Sequence, residues 1–560
     1  MTIETTLQTA SALLAPWTAE TQNPYPNRVD VTLPPGDLIS GVRALVDAQW
    51  GYLSAVTALD LGVEAGIIEV LYHFCSEAAI LTLRVRTPRS EACVPSVCAY
   101  LPYASLYERE LIEMFGIRVE GTPDTSRLFL PDDWLDGVYP ARKDFIPGST
   151  PCVNPEAVST GIEDGVPQAS TGGKFVVPIG PQHPALKEPG HFELTVDGEI
   201  VTAASVRLGY VHRGIEKACE DRTWIQNLYL LERVCGICSH IHAYAYCLGV
   251  EQLAGVEVPF RAQAIRELVA GLERIHSHLL WLGVAAHEAG FDTLVMYSWR
   301  DREIVMDMLE KLSGNRVNYS INVLGGVKFD VDKDQAGSIR SGLDILEKRT
   351  QHYLEVVTTD AAFLQRTRGI GITTAEQAAQ LGIVGPTARA SGVLRDIRVE
   401  APYGAYTHFP VSVGGETAGD LEAKFIVRLK ELFVSINTIR AILDNLREGD
   451  LSIRMPRKIP AGEAISRVEA PRGELFYFIK SNGSEKPERV KARTPSMCNF
   501  ASVISLVVGH QLADVPMIIA GIDPCFSCND RSVTIYTKPG MSESWTWEKL
   551  RRYGIEYYRR

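Results

Sequence analysis

Two short stretches carry the residues best suited to chemistry. In the first, Leu231 to His242, Cys235 and Cys238 stand three apart, with His240 and His242 just beyond. In the second, Asp523-Pro524-Cys525-Phe526-Ser527-Cys528, the same cysteine spacing returns near the end of the chain. Four thiols in two matched pairs suit a soft metal: zinc, copper(I), an iron–sulfur cluster or a thiolate-bound transition metal. On a helix, at about 100° per residue, Cys235, Cys238 and His242 fall within about 60° of one another, and His240 points away as a surface or outer residue. Asp-Pro ahead of Cys525 predicts a turn leading into the start of a new helix. Zinc ribbons join their pairs over roughly 15–20 residues, whereas most of the second half of this chain separates Cys238 from Cys525. Spacing alone leaves a structural zinc site level with an iron–sulfur or nickel site.

Elements distant in sequence must bring these pairs together. At 560 residues the chain is too long for one ordinary core. Its 46% hydrophobic and 22% charged content is that of a globular protein. A formal charge of -12 argues against nucleic acid as a partner, because phosphate binding needs clustered Lys and Arg. No secretory signal and no clean apolar run of roughly 20 residues is visible, so membrane association is expected only through partner subunits. Eleven cysteines without such a signal point to a reducing compartment.

Residues 1–37 read as a mobile lead-in. Residues 38–146 read as an α+β unit, with a helix over Ile39–Gln49 and alternating strand-like runs such as Ile80–Val85. The Pro-, Gly- and Ser-rich residues 147–172 read as a linker. The larger unit, 173–531, opens with strand-like segments at Lys174–Ile179 and His191–Leu208. Helical patterns then dominate from Thr223 to about Arg447, typified by the apolar face of Arg261–Leu282. Short strands follow Met455.

The residues around the cysteines add what spacing does not. Arg233 to Cys238 with His242, and Asp523 to Cys528, resemble the two signatures of NiFe-hydrogenase large subunits. Gly180-Pro181-Gln182-His183-Pro184 and His212-Arg213-Gly214-Ile215-Glu216-Lys217 resemble the quinone-site subunit of respiratory complex I, which lacks the four cysteines. Tyr107–Ile117, with Pro123-Asp124 and Asp132-Asp133-Trp134, resembles the small hydrophilic (30 kDa-type) complex I subunit. The combination resembles the energy-converting, complex I-related hydrogenases, in particular the formate hydrogenlyase large subunit.

That resemblance implies an α+β domain followed by a mainly α-helical hydrogenase or quinone-site-subunit domain. It implies a nickel–iron centre with CN and CO on the iron, Cys235 and Cys525 as terminal nickel ligands, and Cys238 and Cys528 as bridges. Interconversion of protons and H₂ is the implied reaction. Cys525 and Glu188, in Lys187-Glu188-Pro189-Gly190-His191, are the implied proton-handling groups. The family segment has Glu-Gly-His, so Pro189 is an insertion, and a surface glutamate is the plain alternative for Glu188. Arg472, fixed by Pro471, is the implied arginine over the metals; a loop arginine paired with Glu469 or Glu474 is the alternative. His242 is implied to orient a thiolate. An ion pair or an interface is the reading for Arg213 and Glu216. The remaining cysteines, Cys75, Cys93, Cys98, Cys152, Cys219, Cys247 and Cys498, read as small buried hydrophobes.

No iron–sulfur cluster is expected on this chain, so electrons are expected from a separate iron–sulfur small subunit. Further electron-transfer and membrane subunits are implied, with the chain peripheral on the cytoplasmic face of the membrane. A maturation endopeptidase and nickel-insertion factors are also implied, with cleavage after Arg531 removing the basic segment 532–560. The alternatives are a ferredoxin- or CO dehydrogenase-linked hydrogenase, and a non-redox complex I-like scaffold holding zinc.

Overall fold

The computed structural model describes residues 2–131, 134–146 and 174–528, together with the backbone of residues 168–169, 535–538 and 541–543. The expected linker therefore lies almost wholly outside the described residues, as do Arg531 and most of the C-terminal segment.

The N-terminal residues do not form a lead-in. Thr2 caps the helix Ile3–Leu14 by accepting a hydrogen bond from Thr5 N, and Leu7, Ala10 and Leu14 bury its inner face. Strands Glu20–Tyr25 and Arg28–Leu33 follow and open a five-stranded sheet, continued in space by Ala79–Pro88, Ile67–Ser76 and Tyr52–Asp60. All neighbours are antiparallel except Arg28–Leu33 with Ala79–Pro88. Composition misled here because Thr, Ala and Pro suit a short helix and an edge strand as well as a loose terminus. The expected helix near Ile39 is present as Leu38–Asp47.

Tyr52–Asp60 is buried at every position, because both faces of the sheet are covered. Tyr52, Ala55, Leu59, Leu71 and Ile80 pack against Ile465, Phe476 and Phe478 of the larger domain. A buried polar network reinforces this seam. Tyr52 Oη (2.9 Å) and Ser54 Oγ (3.2 Å) donate to the carboxylate of Glu474, which Arg467 and Arg493 also grip. The small domain is thus bonded to the larger one rather than hung on it.

In the larger domain a sheet of residues 168–169, Phe175–Ile179, His191–Asp197 and Ile200–Arg207 leads into the helices. Phe260–Glu288 is the central helix, flanked by Asp292–Ser313 and Leu421–Asn445, and Lys333–Thr359 packs on both of these. Its apolar residues, from Ala262 to Ala286, form the middle of one core. Strands Gly462–Ala470, Gly473–Ser481 and Pro487–Arg493 then form an antiparallel sheet. Ala470 pairs with Gly473, so Pro471 and Arg472 are the two residues of the hairpin turn. The turn nests against Gly385, where a Cβ would lie 2.2 Å from the Arg472 carbonyl oxygen and φ is +71°. Among the described residues no helix is long and apolar enough to cross a membrane.

Candidate metal centre

Cys235 does not lie on a helix. The helix Trp224–Glu232 ends before it, the next helix begins at Ser239, and Cys238 occupies the N-cap position. The turn between them curls its own amides onto sulfur: Ile237 N and Cys238 N donate to Cys235 Sγ at 3.3 and 3.4 Å. Convergence comes from this turn rather than from helical periodicity. His240 is buried, not at the surface, and hydrogen-bonds Arg266 O and Asn322. The buried Glu273 accepts from His240 N (2.7 Å) and Ile241 N (3.1 Å), anchoring the start of the helix.

The second pair leaves the helix Val515–Gly521 in an irregular turn, and no helix starts within the described residues up to Cys528. Asp523 takes φ +54°, in the left-handed region. Cys525 N donates to Ser496 Oγ at 3.1 Å, and Phe526 is buried against Phe192 and Phe500.

The four sulfurs meet. Cys235 Sγ lies 3.4 Å from Cys525 Sγ, Cys525 Sγ 2.9 Å from Cys528 Sγ, and Cys238 Sγ 3.9 Å from Cys528 Sγ. His242 Nε2 stands 3.6 Å from Cys528 Sγ, while its Nδ1 is 2.9 Å from the Tyr477 hydroxyl. Donor atoms of Cys235, Cys525 and Cys528, and of Cys238, His242 and Cys528, form two sets within 4.8 Å.

Arg472 is buried beside them. It does not pair with Glu469 or Glu474; its Nε donates to Asp523 O (2.8 Å) and its Nη2 to Asp523 Oδ1 (3.0 Å). Glu188 is not a free surface glutamate either. Its carboxylate accepts from both the backbone N–H (2.7 Å) and the hydroxyl of Ser527, between the two cysteines of the second pair. The extra Pro189 therefore leaves Glu188 at the site.

Family models match along the chain. "Respiratory-chain NADH dehydrogenase, 30 Kd subunit" covers residues 31–151, "Nickel-dependent hydrogenase" 213–286, and "Respiratory-chain NADH dehydrogenase, 49 Kd subunit" 288–459 and 453–531. Formate hydrogenlyase subunit 5 of Escherichia coli is 36% identical over 95% of this chain and 94% of its own length. The chain belongs to the complex I-related family of nickel-dependent hydrogenase large subunits. The carbon monoxide-induced hydrogenase of Rhodospirillum rubrum is 39% identical over 64% of this chain and 99% of its own. A chain of an archaeal membrane-bound sulfane sulfur reductase superposes with a TM-score of 0.62 at 31% identity, over 64% of this chain and 99% of that one.

The residues of this large subunit fit the family's metal group. Hydrogen bonds from Cys238, then Cys525 and Cys528, pull the Cys235 thiol well below the usual range. Their hydrogen bonds to Cys235 in turn push the other three thiols well up. Four thiolates this close require a cation, and binding one would release protons. Next to Cys238 and Cys528 lies a small cavity bounded by Arg472, Leu475, Pro495 and Ser496. Arg472 Nη1 is buried without a hydrogen-bond partner. An unspent cationic donor beside two soft ligands suits a small electron-rich group on a metal.

Sequence reasoning missed four contributors: Asp523, Ser496, Tyr477 and the clasp made by Arg213. Arg213 makes no intrahelical ion pair among the described residues. Its guanidinium donates to Arg233 O (2.8 Å), Val234 O (2.6 Å) and Ser527 O (3.0 Å), tying the two cysteine loops together. Glu216 is an ion-pair residue, bound to Arg489 and Lys491. The Asp beside Cys525, and Ser496 one residue beyond the Pro that starts Pro495–Val507, were visible in the sequence as positions but not as partners. Cys75, Cys98, Cys219, Cys247 and Cys498 are buried and Cys93 is half-buried, while Cys152 lies outside the described residues.

Proposed function

We propose that this chain is the catalytic large subunit of a membrane-associated NiFe hydrogenase of the formate hydrogenlyase type, reducing protons to H₂ or oxidising H₂. The observation that carries the reading is the meeting of four buried thiols next to an unpaired Arg472 Nη1, with Glu188 bound to the loop of the second pair. When bound, a nickel–iron centre with CN and CO on iron would supply the redox chemistry. Cys235, Cys238, Cys525 and Cys528 would hold it, with Cys238 and Cys528 facing the cavity.

The chain's own residues handle protons and exclude water. All four thiols and Arg472 are buried, so bulk water has no direct approach. Glu188 is only partly buried and borders the open hollow of residues 181–189, so its carboxylate joins the second cysteine loop to solvent. It accepts a proton released at Cys525 and passes it outward, through Ser527 Oγ at the near end. His242, held by Tyr477, orients the Cys528 sulfur. Arg472, which lines the cavity and keeps a buried guanidinium nitrogen unpartnered, is a fixed positive donor there.

Electrons would enter from a separate iron–sulfur small subunit, and membrane subunits would hold the chain at the cytoplasmic face. Maturation would end with nickel insertion and endopeptidase removal of residues 532–560; an intact mass that includes them refutes that step. Feeding by ferredoxin or by a CO dehydrogenase is an alternative source of electrons. Metal analysis of the purified protein tests the whole reading: nickel and iron in equal amounts are expected, and zinc alone overturns it in favour of a scaffold.

A further inference from the structure

The small domain grips the larger one along residues 491–498, and the middle of that segment walls the metal site. Glu110, on the helix Ser105–Phe115, accepts from Lys491 Nζ. Tyr107, one turn earlier on the same helix, places its Oη 3.3 Å from Cys498 Sγ. The buried Arg493 divides its guanidinium between the two domains. Its Nε donates to Ser54 O (2.6 Å) and its Nη2 to Ser54 Oγ (2.7 Å), both in the small domain. Nη2 also donates to Glu474 Oε2 (2.7 Å), and Nη1 to the Glu474 carbonyl.

Between these grips lie Pro495 and Ser496, which bound the cavity next to Cys238 and Cys528. Ser496 Oγ accepts the Cys525 N–H, so this segment also carries a bond to the second cysteine loop. Three residues on, Asn499 accepts from Val384 N (3.0 Å) and donates to Val384 O (3.3 Å). Val384 precedes Gly385, against which the Arg472 turn nests. Glu474, two residues past Arg472, takes hydroxyl bonds from Tyr52 and Ser54 as well as from Arg493. Each of these bonds resists displacement, because its loss leaves a buried polar or charged group unsatisfied.

We propose that the small domain is part of the metal site's scaffold: through Ser54, Tyr107 and Glu110 it positions residues 493–496, and with them the Ser496 bond to Cys525. None of the three lines the cavity, so they are positioning residues. What the cavity holds rests on the nickel–iron reading; the positioning itself does not.

The test uses the full chain. The triple variant Ser54→Ala/Tyr107→Phe/Glu110→Gln removes the side-chain grips and keeps the apolar seam at Ile465, Phe476 and Phe478. Glu463→Gln is the control: it weakens the same seam at Arg28 and Arg84, at the end of Gly462–Ala470 away from the Arg472 turn. In metal-free protein, hydrogen exchange at residues 494–499 and at the Cys525 amide is expected to speed up about 10-fold in the triple variant, roughly the worth of one net hydrogen bond. The control should leave those amides unchanged. In the loaded complex the triple variant alone should shift the infrared CN and CO bands and lower turnover, by up to about 100-fold for a displaced group. Unchanged exchange in the triple variant, equal acceleration in the control, or wild-type bands in a fully loaded triple variant would each overturn the inference. A wild-type protein without nickel, iron or such bands would instead overturn the nickel–iron reading, and the exchange comparison still decides this one. If the triple variant does not fold, Ser54→Ala/Tyr107→Phe carries the same comparison; failure of that pair to fold makes these residues of the fold alone and also overturns the proposal.

Discussion

The two cysteine loops reach one site by different physical means. The Cys235–Cys238 turn is built into the helical core. Its amides bond its own sulfur, Glu273 takes the first N–H groups of the following helix, and His276 Nε2 lies 2.9 Å from Ile237 O. The Asp523–Cys528 turn is held mainly by side chains sent from elsewhere: Lys187 and Glu188 from one strap, Arg472 from a hairpin tip, Ser496 from a helix start and Arg213 from a third segment. The first half of the site thus follows from the local fold. The second half depends on several distant polar clasps.

The largest expected effect comes from the sulfurs. Cys525→Ser should reduce nickel content and hydrogen turnover to background while leaving the fold intact, as read by metal analysis and circular dichroism. Full metal retention would remove Cys525 from the site. Next, Glu188→Gln should keep both metals but slow H/D exchange and turnover by about 10²- to 10⁴-fold, the usual span for a lost proton-transfer group. Unchanged exchange in a metal-replete variant would return Glu188 to a purely clasping part.

A smaller effect bears on the contrast itself. A Cβ at Gly190 would lie 2.0 Å from Phe526 Cε1, so Gly190→Ala should push on the second loop and cost about 1–3 kcal/mol. Hydrogen exchange on metal-free protein should then speed up at residues 523–528 and not at 235–241. Equal acceleration of both loops would break the distinction.

The smallest concerns the first loop's anchor. Burial raises the Glu273 carboxyl well above its ordinary value of 4.5, an effect stronger than the lowering by its bonds from His240 and Ile241 N–H. Because the folded value is raised, its contribution to stability is complete below about pH 4.5 and falls as pH rises through the folded value. Glu273→Gln keeps an acceptor and cannot ionise. It should flatten the melting-temperature profile above about pH 4.5, and a profile parallel to wild type would count against the assignment.

Much of this was readable in residue order. The two CxxC pairs, the buried stripe of Phe260–Glu288 and the helix Leu38–Asp47 each have a local signature, either fixed spacing or 3.6-residue periodicity. Three local readings failed for local reasons, one of them the helix expected after Asp523-Pro524, where the chain makes an irregular turn. Thr, Ala and Pro near the N-terminus disguised a helix and two sheet strands. A helical wheel drawn through Cys235 ignored that the helix starts only at Ser239. Tyr52–Asp60 shows the opposite limit: its complete burial follows from the larger domain covering the sheet's second face, which no period within the strand reports.

By itself, the sequence determined the ligand types, their pairing, the family and the presence of Glu188 and Arg472. Only the tertiary structure decided that Arg472 spends itself on Asp523 rather than Glu469 or Glu474, that Glu188 binds Ser527 despite the inserted Pro189, and that Arg213 joins the two loops. The physical reason is the same in each case. Hydrogen-bond donors and acceptors find partners through space, and a buried group must find one wherever the packed chain supplies it.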